Sequence, residues 1–154
     1  MGVDYNLELA VGMEPKQVLN LLARHLGFPL GTEPHLNGPG LWTHVGETSK
    51  VRRTLIEEAL QFSPTVSVQF RLSPNDDDYA GGCRRMLRAV LFLLELETAR
   101  DGVFFFNWEI IVLQRLKKRG LVLNSNYVKG TWLEDEFHVN QVPYEERSLL
   151  PPWP

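Results

Sequence analysis

The chain has 154 residues, with 16 Lys and Arg against 19 Asp and Glu, a formal net charge of −3, and one cysteine. One cysteine excludes a disulfide scaffold. The 44% hydrophobic and 23% charged content excludes a disordered or low-complexity chain, and the slight acidity argues against non-specific binding of nucleic acid or membrane. The length is that of a single domain, 1–154, with a core over about 1–125 and a wrapping tail over 126–154. MGVDYNLELA has no basic region and no long apolar run, so the chain is expected to be cytoplasmic.

Val3 to Ala10 alternates with period two, Val3, Tyr5, Leu7 and Leu9 facing one way and Asp4, Asn6 and Glu8 the other, which predicts a half-buried strand. Glu14-Pro15 opens a helix whose Val18, Leu22 and Leu26 recur every fourth residue, with Gly27 as its stop. Phe28 to Gly40 is rich in glycine and proline and reads as a long loop. Leu41 to Val45 is a short strand. Val51 to Leu60 reads as a helix, with an irregular strand as the alternative.

Thr65 to Leu72 is the clearest strand, and Asp76 to Asp78 suits the start of the helix that follows, Ala80 to Ala99. That helix is apolar nearly all round from Met86 to Leu94, so it is expected to be central and buried. Val103 to Phe106, Glu109 to Leu116 and Leu121 to Asn124 form an antiparallel meander. From Asn126 the periodicity dissolves. The order predicts an α+β fold: a mixed, mostly antiparallel sheet with two main helices on one face, a C-terminal β-meander and an extended tail.

No nucleophile elbow, phosphate loop or dinucleotide fingerprint is present, and neither histidines nor cysteine pair at metal-binding spacing. No cofactor, metal or catalytic residue is therefore expected. Cys83 lies beside Arg84 and Arg85 near a helix start, a setting that lowers a thiol pKa, although packing is the commoner role of a lone cysteine. His35 and His44 bracket the glycine-proline loop and, with Glu33 or Glu47, offer a candidate site. Trp42, Trp108, Trp132 and Trp153 fall in loops or at strand ends, and tryptophan is enriched among interface anchors. The acidic runs Asp76 to Asp78 and Glu134 to Glu136 suit steering of a basic partner.

PTVSVQFRL (Pro64 to Leu72), MLRAVLFLL (Met86 to Leu94), the Phe104 to Leu113 segment FFFN-x-E-x-x-VL, and LVLN (Leu121 to Asn124), with the opening VDYNLELA, carry a resemblance. The chain resembles small bacterial immunity proteins to the swarm-inhibition toxins of myxobacteria. The resemblance implies a cytoplasmic protein, not an enzyme and without a cofactor, that neutralises a cognate toxin by stoichiometric occlusion. At the first meander hairpin, Asn-Gly would suit a two-residue turn; Asn107-Trp108 stands there instead, which predicts a longer loop or another turn type with the tryptophan displayed. The expected partner-binding residues, by type and exposure, are Trp108, Trp132, Asp76, Asp77, Asp78, Glu134, Asp135 and Glu136. The partner is a toxin, not nucleic acid or membrane, and the chain itself a monomer or weak homodimer. The alternative is a small enzyme or ligand-binding domain with a pocket at loop 28–46, using His35, His44 and Glu47.

Overall fold

A computed structural model of the chain describes residues 2–153. The alternating opening segment forms β1 (Val3–Val11), and it lies in the middle of the sheet rather than at its edge. Its neighbours are β4 (Val66–Leu72) and β5 (Ala99–Phe106), both antiparallel to it. With β2 (His35–Gly38), β3 (Leu41–Glu47), β6 (Ile110–Arg115), β7 (Val122–Asn124) and β8 (Glu145–Arg147), the described residues give eight strands in the order β2-β3-β4-β1-β5-β6-β7-β8. Every pairing is antiparallel except β7 with β8.

Period two divides the sheet into an inner and an outer face. Tyr5, Leu7 and Leu9 of β1, with Val68, Phe70 and Phe104 beside them, are buried on the inner face. Helices α1 (Pro15–Leu26) and α3 (Tyr79–Leu94) pack on that face, as the apolar stripes require. α1 starts with a reciprocal Glu14–Gln17 capping box and stops at Gly27, whose φ of 71° suits a residue without a Cβ. The fold is α+β, with the two main helices on one face.

Several segments differ from their sequence expectation. Residues 28–40 are not one long loop. β2 (His35–Gly38) pairs with β3 (Leu41–Glu47) through a Pro39-Gly40 turn, and Phe28 lies so close over Gly38 that a Cβ there would come within 2.1 Å of its ring. α3 ends at Leu94, short of Ala99, because the Arg115 guanidinium donates to the Leu94 carbonyl and the chain tightens through Leu96 N–H to Leu93 O at 3.2 Å. Beyond residue 124 the chain builds α4 (Ser125–Val128), α5 (Trp132–Val139) and β8. Val128, Leu133 and Phe137 are buried in the main core, so that core continues past residue 125.

The meander turns use left-handed backbone. Between β5 and β6 (Ile110–Arg115), Asn107 and Trp108 have φ of 52° and 59°, and Glu109 N–H donates to Phe106 O at 3.1 Å. The β-turn has both central residues left-handed, and because Phe106 pairs with Ile110 the connection is three residues long, one more than the two-residue hairpin that Asn-Gly would suit. Lys117 and Lys118, between β6 and β7, adopt the same left-handed backbone, with Arg119 N–H donating to Leu116 O at 3.1 Å.

Candidate partner-binding surface

The polar side of β1 is not solvated as its alternation suggests. Asn6 and Glu8 are buried on the outer face, because α2 (Lys50–Leu60) and the C-terminal tail cover that half of the sheet. Ser49 caps α2 by accepting from Arg52 N–H at 3.3 Å. Arg53 ties the helix down by donating to the Pro64 and Thr48 carbonyls at 3.2 and 3.3 Å. Ile56, the buried residue of α2, joins Phe62, Val103, Phe105 and Ile111 in a second apolar cluster.

Glu8 lies beneath this layer. Its carboxylate accepts from Thr48 Oγ1 at 3.0 Å and from the Ser67 hydroxyl. Burial pushes its pKa up to about 7, while the two hydroxyls and the Arg52 charge pull the other way without winning. The sequence gives no hint of this group. It stands on what reads as the polar face of a strand, and only the path of α2 encloses it.

Trp108 does not project from its hairpin. Its ring stacks on Phe105 with centroids 5.0 Å apart, the Arg52 guanidinium sits 4.1 Å above it, and its carbonyl accepts from Trp153 Nε1 at 2.6 Å. Trp153 stacks on Phe105 from the tail, 5.6 Å away. Asn124 straps the tail in place: its amide donates to the Ile111 and Leu149 carbonyls at 2.6 and 3.0 Å and accepts from Leu149 N–H at 3.1 Å. Beside this aromatic and arginine cluster, Val51 and Leu55 sit one turn apart on α2 with 72% and 45% of their surface exposed. Leu150 of the tail is 75% exposed.

The other expected residues lie on the helical side. Trp132 packs half-buried against the main core at the start of α5. Asp76 accepts from Asp78 N–H at 2.8 Å, and Asp78 pairs with Arg85 at 2.7 Å; these two carboxylates organise the first turn of α3. Arg85 also donates to Pro39 O at 2.7 Å, fastening the β2–β3 turn to α3 where Gly40 and Gly82 touch. Asp77 and Asp135 are exposed. Glu134 and Asp135 occupy the first turn of α5, where a helix dipole favours acids. Glu136 lines a groove with Arg84, Arg88 and His25. Trp108 is therefore on one face of the molecule and the acidic runs with Trp132 on the other.

His35, His44 and Glu47 do not converge on one pocket. His35 stands directly opposite His44 across β2 and β3, and both rings lie against Trp42 on the outer face, at 5.8 and 6.0 Å. Neither histidine lines the groove where α3 ends or the cavity beside Gly12 that Glu47 faces with Glu14, Gln17 and Arg53. Cys83 is buried, and burial pushes its thiol pKa up despite Arg84. Among the described residues no three His, Cys, Asp or Glu side chains gather to hold a metal, and no helix is long and apolar enough to cross a membrane.

A family model described as SitI3-like matches residues 3–134. The chain belongs to the SitI3-like family. The SitI3-like match spans β1 through the start of α5 and so includes the sheet centre, α2 and the Trp108 hairpin; the strap around Leu149 and Trp153 lies beyond it. No curated protein and no solved structure matches this SitI3-like chain.

Proposed function

We propose that this protein is a cytoplasmic immunity protein that binds a cognate bacterial toxin and neutralises it by stoichiometric occlusion, without catalysis. The single observation that supports the reading is the SitI3-like family match across residues 3–134. The outer face supplies a surface suited to that role. Val51, Leu55 and Leu150 are exposed around Arg52 and Trp108, and tryptophan and arginine are the residue types that most often anchor interfaces. A stable complex needs roughly 800 Å² from each partner. A contact centred on α2 and the Trp108 turn would extend over the strapped tail to reach it. Asp77 and Asp135, exposed on the other side of the molecule, lie away from this contact and take no part in it.

The test is co-expression with any toxin domain encoded beside this protein, followed by pull-down. Growth is restored and the two proteins co-purify in equal amounts if the reading is right. Full lethality with no retained complex sinks it. Within a working complex, Val51→Asp with Leu55→Asp abolishes protection while the circular-dichroism spectrum stays native; unchanged protection removes the outer face as the interface.

A further inference from the structure

At the end of the sheet where α3 stops, the β6–β7 turn and residues 142–145 enclose a groove of about 710 Å³ that no part of the proposed interface uses. Small-ligand pockets take roughly 300–1,000 Å³ and combine an apolar lining with a few placed polar groups. This groove has that make-up. Leu94, Leu121 and Val142 form its floor, and Arg115, Lys118 and Arg119 stand on its rim.

The three cations differ in what they do. Arg115 is only 19% exposed, donates to the Leu94 and Arg119 carbonyls, and closes the end of α3. Lys118 reaches the Glu97 carbonyl. The Arg119 guanidinium has no hydrogen-bond or ion-pair partner among the described residues, and Arg119 is exposed. The turn that carries them is strained: Lys117 and Lys118 hold φ of 56° and 54°, a conformation that L side chains adopt rarely. It is fixed by Lys117 N–H donating to Asp101 Oδ1 at 2.7 Å and Lys118 N–H to Arg100 O at 3.0 Å. A strained turn that presents cations over an apolar trough fits an anion with an apolar chain.

We infer that the groove binds a small amphipathic carboxylate, its chain along Leu94, Leu121 and Val142 and its head group on Arg119 and Lys118. Charge complementarity selects this ligand over a neutral or cationic one. Glu95 on the same rim is paired with Arg115 at 3.7 Å, so Glu145 alone weakens the selection against Arg119 and Lys118 and does not reverse it.

The probe is decanoate, titrated below its aggregation limit by calorimetry and ligand-observed NMR, with decan-1-ol and decylammonium as controls. Saturable one-to-one binding is expected, with the alcohol and the amine weaker by about tenfold or more, the worth of one charge-assisted contact. Arg119→Ala, at an exposed position that leaves the fold intact, weakens decanoate by about tenfold, and Val142→Asp abolishes it. Glu145→Gln strengthens it. The inference is overturned by non-saturable uptake, by equal binding of the alcohol, or by an Arg119→Ala protein that binds as the parent does. Toxin neutralisation plays no part in this readout, so the two readings fail separately.

Discussion

Glu8 offers a sharp test of the buried outer-face layer. Its folded pKa of about 7 stands above the ordinary carboxyl value of 4.5, so between those pH values the folded protein holds a proton that the unfolded chain has released. Stability from this group is fully present below pH 4.5 and is lost as pH rises through 7. Each pH unit in that window is worth about 1.4 kcal/mol, so the whole effect is about 3 kcal/mol, a large share of the ~5–15 kcal/mol that holds a domain together. Glu8→Gln keeps the shape and cannot ionise. Its amide mimics the protonated acid, because the Thr48 and Ser67 hydroxyls accept as readily as they donate. Urea unfolding of parent and variant at pH 4.5, 6, 7 and 8, followed by tryptophan fluorescence, isolates the carboxyl, since all other groups titrate in both proteins. The stability of the variant relative to the parent should rise by about 3 kcal/mol from the lowest to the highest pH. A difference that stays flat, or that falls with pH, refutes the argument that Glu8 is enclosed beneath α2.

Two further substitutions probe how the layers are held. Gly82→Ala places a Cβ 2.1 Å from the Gly40 carbonyl oxygen, forcing α3 away from the β2–β3 turn; a loss of about 1–3 kcal/mol is expected by thermal unfolding, with Gly120→Ala, which meets nothing within 4 Å, as a near-neutral control. Asn124→Ala removes the strap on the tail and leaves buried polar groups unpaired, costing about 1–3 kcal/mol. Cleavage after Leu149 should accelerate and the Trp153 emission should shift to the red; an unchanged emission spectrum would show that Asn124 does not hold the tail.

Legibility in the sequence followed the length of the element and the strength of its period. β1, β4, α1 and the centre of α3 each bury a face over several repeats, so the pattern alone finds them. β2 was hidden because its four residues, His35 to Gly38, owe their pairing to a turn and to Phe28 packing over Gly38. β8 is three exposed residues, Glu145 to Arg147, whose strand character comes from β7 alone. In α5 the pair Leu133 and Phe137 is buried one turn apart, yet eight residues are too few for periodicity to stand out. For the site, residue type pointed to Trp108, but its orientation depended on a left-handed turn and on an arginine from α2, more than fifty residues away in sequence. Glu8 was unreadable for a related reason: alternation says which face a side chain takes, and not what covers that face.

The central position of β1 shapes how the chain reaches this structure. Its partners are distant in sequence, Gln69 on one side of Asn6 and Phe105 on the other, so the sheet closes only after two long excursions. Such non-local pairing makes folding slow. Until residues 99–106 are in place, β1 is an open edge rather than a centre, with one row of backbone hydrogen bonds free and Leu7 beside Phe104's empty place. An open edge of that kind recruits strands from other chains. Forms ending before Ala99 should therefore self-associate more strongly than the 154-residue chain, so the docking of β5 acts as a guard against aggregation as well as a step in closing the core.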